Sequence, residues 1–122
     1  MLRASLLGGA NAALGSVVAK MAFDDRFLVR HVFGGEQAGT LAVLGVRGLG
    51  LALMLALNAM LFRFLALGMD QAGSTVSVTA MVSATNFVLS GFFGWLLFGE
   101  LISASWLLGS MLMVVGVWML NV

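Results

Sequence analysis

Residues 86–120 read NFVLSGFFGWLLFGELISASWLLGSMLMVVGVWML and carry one formal charge, Glu100. A run this apolar cannot cover the surface of a water-soluble domain, and it is too long for a single buried core helix. The rest of the chain continues the pattern: of 122 residues, 61% are apolar and only 9% charged. Backbone groups in hydrocarbon must be bonded within closed structures, so the spanning elements are helices or barrel strands. The apolar runs here far exceed the short alternating segments of a barrel strand. The expected fold class is an all-α membrane protein with four transmembrane helices in a single domain covering residues 1–122.

The expected spans lie at about residues 4–23, 40–62, 74–98 and 103–120. The first follows a short basic start, MLR. The small residues ANA at 10–12 could pass for a signal-peptide cleavage site, but the apolar region before them is too short and the segment continues through ALGSVVAKMAF. DDRFLVRHVFGGEQAG then gathers acids, bases, the single histidine and three glycines into a loop. The second span reaches at least Phe62, or Leu67, before GMDQAG, which reads as a turn. At the junction of spans three and four, Gly99 can end one helix and Ser103 can cap the next.

Several chemistries are excluded by composition. The chain has no cysteine and one histidine, so it offers no disulfide framework and no protein-only metal cluster, and no cofactor is expected. FGGEQAG lacks the lysine and hydroxyl of a phosphate-binding loop, and no nucleophile and base stand together, so an enzyme is not expected. The net charge of +1 is scattered, which gives no footprint for nucleic acid. The expected partners are the lipid bilayer, other apolar helices and a small-molecule solute of unknown identity.

Polar residues inside the spans are the candidate site. On the third helix Thr79, Ser83, Asn86, Ser90 and Gly94 recur at three- and four-residue spacing and share a face. Such a stripe is either a helix–helix seam or the wall of a wet cavity. On the second helix Arg47 and Asn58 share a face, and Arg47 either snorkels to the interface or faces the bundle. On the first, Lys20 shares its face with Gly9, Ala13 and Ser16, opposite Asn11. Lys20 is the better inward candidate, with snorkelling as its simpler role. Tracing alternate crossings puts Lys20, Arg47 and Glu100 in one half of the membrane. Glu100 is thus expected either to cap the fourth helix or to pair with one of the two cations. Gly109 and Gly116, seven residues apart, form a candidate dimer seam or an intramolecular contact.

The stretch GFFGWLLFGELISASWLLGSMLMVVGVWML resembles the closing helix pair of the EamA-like branch of the drug/metabolite transporter superfamily, where an apolar helix ends in GE and another follows at once. GANAALGSVVAKMAF and NAMLFRFLALGMDQAGSTVSVTAMVSATNF are similar, more narrowly, to the transmembrane protein 42 group within it. The resemblance covers residues 9–23 and 58–120. It implies a four-helix half-unit of a fold that usually carries ten helices as two inverted repeats, with substrate handled between the halves. The small multidrug resistance proteins, similar in size, work as pairs of short chains, often antiparallel. Their glutamate in helix one has no counterpart here, which argues against proton-coupled cation export. The proline that many EamA-like proteins carry midway along helix three is also missing, with Asn86 and Phe87 in its place.

Together these readings give an integral, multi-pass membrane protein. Its expected function is small-solute transport by a homodimer, with Lys20, Arg47, Asn58, Ser83, Asn86 and Ser90 as substrate-binding candidates. The alternative is a non-transporting packing or assembly subunit. Arg3 and Arg63 lie towards one side and Lys20, Arg26 and Arg30 towards the other, a split too even to fix orientation.

Overall fold

The computed structural model describes residues 1–29, 34 and 39–122. Its helices are α1 (Leu2–Phe23), α2 (Thr40–Gln71), α3 (Thr75–Phe98) and α4 (Ala104–Leu120), with a single helical turn at Asp25–Phe27 after α1. Among the described residues there is no strand. The expectations placed on Arg30, His31 and Glu36 in the loop lie outside the described residues.

Three helices, α1, α2 and α3, are long and apolar enough to cross a membrane. The fourth differs from expectation. α4 is apolar throughout but has 17 residues, a rise of about 25 Å at 1.5 Å per residue, against about 30 Å of hydrocarbon. α2 differs in the other direction: it has 32 residues and runs on to Gln71, through most of the expected GMDQAG turn. Gly68 is not a breaker there but a contact point. A β-carbon on it would lie 2.9 Å from Val78 Cγ1 and 3.4 Å from Ser5 Oγ. The chain instead reverses at residues 72–74, where the Ala72 amide donates to the Met69 carbonyl and Ser74 Oγ accepts from the Ser77 amide.

α1 is the middle of the bundle and packs along both α2 and α3. Its buried positions are nearly all small: Ala4, Ser5, Gly8, Gly9, Ala12, Ala13, Gly15 and Ala22. Water-driven burial does not hold helices together in lipid, so close backbone approach and van der Waals contact must do so, and small side chains permit it. Towards α2 the contacts run antiparallel, from Gly8 beside Leu61 and Phe64, through Gly15 beside Leu57, to Ala22 against Gly50. Towards α3 they run parallel, with Gly9 against Val82 and Thr85 near one end and Lys20 beside Phe98 and Glu100 at the other.

α4 packs chiefly on α3. Trp106 stacks on Phe87 with ring centroids 5.6 Å apart and planes 16° from parallel. Its indole occupies the space that a side chain on Gly91 would need. At the far end Ser77 Oγ donates to the Leu120 carbonyl at 3.5 Å. The joint between α3 and α4 follows its local sequence. Gly99 adopts a left-handed conformation with φ of 63°, which glycine reaches without steric cost. The Glu100 amide then donates to the Gly94 carbonyl at 3.2 Å, and Ser103 Oγ accepts from the Trp106 amide at 3.1 Å.

Candidate functional site

The polar stripe of α3 lies between that helix's two packing faces. Val82 and Thr85 face Gly8 and Gly9 of α1, and Val78, on the same side, meets Gly68 of α2, while Ser77, Phe87 and Gly91 meet α4. At 100° per residue, Thr79, Ser83, Asn86 and Ser90 fall on the flank between these two faces. Ser83 is exposed and Asn86 and Ser90 half-buried. Ser83 opens into two grooves. One, of about 620 Å³, runs between α3 and α4 beside Ala80, Met113 and Gly116. The other, of about 450 Å³, lies where the end of α2 passes Thr75 and Thr79, with Met69 in its wall.

Most hydroxyls in the helices are spent locally. Thr79 donates to the Thr75 carbonyl at 2.9 Å, Thr85 to Met81 at 2.8 Å and Ser110 to Trp106 at 2.9 Å. This back-bonding to a carbonyl four residues earlier satisfies the hydroxyl without a second helix. Asn86 is different. Its Oδ1 accepts from Ser90 Oγ at 3.0 Å, and among the described residues its amide NH₂ has no hydrogen-bond partner. A primary amide carries two donors, so Asn86 presents unspent donors on this flank, one turn from the exposed Ser83, whose hydroxyl likewise has no hydrogen-bond partner among the described residues.

The remaining candidates lie elsewhere, and the six do not line one cavity. Asn58 sits in the α1–α2 contact: its Nδ2 donates to the Met54 carbonyl at 2.9 Å and lies 3.3 Å from where a β-carbon on Gly15 would be. Lys20 Nζ forms an ion pair with Glu100 Oε1 and stands 4.7 Å from the centre of the Phe98 ring, a cation–π distance. Glu100 therefore turns back over Gly94, with Oε2 2.5 Å from that glycine's β-carbon position, and its acid is given to α1; Ser103 caps α4. Arg47 pairs with Asp25 and faces the Phe23 ring at 5.9 Å, while its Nε is buried without a partner among the described residues. Asp25 was not among the sequence candidates. The available signal was its place five residues beyond Lys20, which keeps it at the same end of the bundle as Arg47.

The structure thus makes two groupings: Ser83, Asn86 and Ser90 along one flank of α3, and the pairs Lys20–Glu100 and Arg47–Asp25 at one end. Both pairs are partly exposed, with side chains 43% and 52% accessible in the first and 32% and 80% in the second. Among the described residues no three His, Cys, Asp or Glu side chains gather to hold a metal. What these arrangements offer is hydrogen bonding and charge pairing. Gly109 and Gly116 meet no atom within 4 Å of their β-carbon positions among the described residues, and Gly116 borders the same groove as Ser83.

No protein family, curated protein or solved structure matches the chain.

Proposed function

We propose that the chain is a multi-pass membrane protein of the EamA-like, drug/metabolite transporter type, near the transmembrane protein 42 group, acting as a homodimeric carrier of a small solute. α4 then serves as the fourth span, at the short end of the usual range. The observation that carries the reading is the unspent amide of Asn86 on the same flank as Ser83, which itself lines a groove bordered by Gly116. A second copy seated along Gly109 and Gly116 would turn this open flank into a wall between two halves, where polar groups in a membrane commonly mark a solute path. Lys20 and Arg47 carry partner carboxylates, so the recognition offered by the flank is hydrogen bonding by neutral groups. The test is exchange of labelled solutes by the purified chain in liposomes. Exchange that Asn86→Ala abolishes supports the reading; no exchange across a broad solute set defeats it.

The second reading is a non-transporting packing or assembly subunit. Its support is that Thr79 and its neighbours bond to their own helix, as residues of a dry seam can, and that the stripe is open along the side of one chain, where a partner helix could lie. A membrane-impermeant thiol reagent separates the two, because a carrier path admits water and a seam does not.

A further inference from the structure

On the opposite flank of α3 from the polar stripe, α1 and α4 leave a slot of about 580 Å³ between them, floored by Ala84 and Val88 and walled by Leu6 and Ala10 on one side and Val114 and Val117 on the other. Its hydroxyl, Thr85, is bonded to the Met81 carbonyl at 2.8 Å, so the walls offer a ligand only apolar contact. The slot takes in α1 from Leu2 to Ala10, a rise of about 12 Å, which is less than half of the ~30 Å hydrocarbon thickness. It is confined to one leaflet. Arg3 precedes Leu6, Leu7 and Ala10 by three, four and seven residues, and so stands on the same face of α1 at the outer end of the slot. Arg3 is exposed and forms no ion pair among the described residues. Asn121 follows Val114 and Val117 on α4 in the same way, and its Nδ2 is bonded to the Val117 carbonyl at 2.7 Å, leaving its oxygen at the same outer end.

We propose that this slot seats an acyl chain of an anionic glycerophospholipid whose phosphate is held by Arg3. A length that fits within one leaflet, an apolar wall and a guanidinium with no ion pair among the described residues at its outer end are the three properties such a lipid matches. A guanidinium binds phosphate through two parallel hydrogen bonds, and a basic side chain at this depth favours anionic over zwitterionic headgroups. A helix from another chain would need no cation at the rim. The proposal requires the chain to reside in a membrane but does not require it to carry a solute.

The test uses the full chain in detergent micelles with equal phosphatidylglycerol and phosphatidylcholine, read by native mass spectrometry. The unaltered chain should retain one phosphatidylglycerol in preference to phosphatidylcholine. Arg3→Gln, a surface change, should reduce that preference about fivefold, and Ala10→Phe, which fills the slot from its half-exposed wall, should lower retention of both lipids. Equal retention of the two lipids by the unaltered chain and by Arg3→Gln overturns the proposal, whether or not Ala10→Phe folds. So does a dimer that holds no lipid and falls to monomers on Ala10→Phe, which would assign the slot to a helix of a second copy.

Discussion

Gly9 of α1 lies directly against Thr85 of α3: a β-carbon on it would stand 2.8 Å from Thr85 Cγ2 and 2.7 Å from the Val82 carbonyl oxygen. The two backbones meet here with no room for a methyl group, because one wall of the contact is main chain and cannot rotate away. Gly9→Leu should therefore push α1 off α3 and lower stability by about 1–3 kcal/mol, the cost of overpacking. Gly109→Ala is the control. That position has open space around it, and alanine is the better helix former by up to about 1 kcal/mol. A melting curve of each purified variant in the same detergent checks the contrast; equal melting temperatures for Gly9→Leu and the unaltered chain would mean the α1–α3 contact is looser than described.

The ion pair between Lys20 and Glu100 should behave as a pair. Both side chains are about half exposed, so solvent screening holds its worth to about 0.2–1 kcal/mol. Lys20→Glu and Glu100→Lys alone should each lower thermal stability, and the double swap should recover most of the loss in a double-mutant cycle. Raising the salt concentration should shrink the coupling. A double swap no better than either single change would show that the two charges act separately.

Trp106 holds α4 to α3 through its stack on Phe87 and its seat on Gly91. Replacing it with alanine should cost at least the ~0.5–1.5 kcal/mol of a stacked aromatic pair, while phenylalanine should retain part of that. Gly91→Leu should displace the indole and shift its fluorescence. Trp95 and Trp118 also emit, so the measurement is made on a Trp95→Phe, Trp118→Phe background; both are exposed, and their removal disturbs little packing.

The chain has no cysteine, so single cysteines report access without background. Under the carrier reading, a cysteine at Ser83 or Asn86 should react with a membrane-impermeant thiol reagent, while one at Val78, fully buried where α3 meets Gly68 of α2, should not. Silence at Ser83 and Asn86 together with a labelled control outside the helices would favour the seam reading.

Some of this architecture was legible because it is local. Gly99 and Ser103 act within one turn of their own positions, and the stripe from Thr79 to Ser90 is a matter of spacing on one helix. That Glu100 shares one half of the membrane with Lys20 and Arg47 follows from alternate crossings, but whether it caps α4 or pairs, and with which cation, does not, since that depends on which helix lies beside α3. Asp25, in a loop by composition, is the partner of Arg47. GMDQAG has the composition of a turn, yet Gly68 lets α2 approach Ser5 and Val78.

The sequence by itself determined that the chain is helical and apolar enough to cross a membrane, where α3 stops and α4 starts, and which side chains in the helices are polar. Only the tertiary structure decided that α1 is the central helix, that α4 lies to one side, and that Asn58, Lys20 and Arg47 stand apart from the Asn86 flank. The physical reason is the solvent. In water, an apolar face announces the core by contrast with a polar one. In lipid, packed and lipid-facing surfaces are both apolar, so the pattern that would order the helices is erased, and only close approaches such as Gly9 on Thr85 and Gly91 under Trp106 record it.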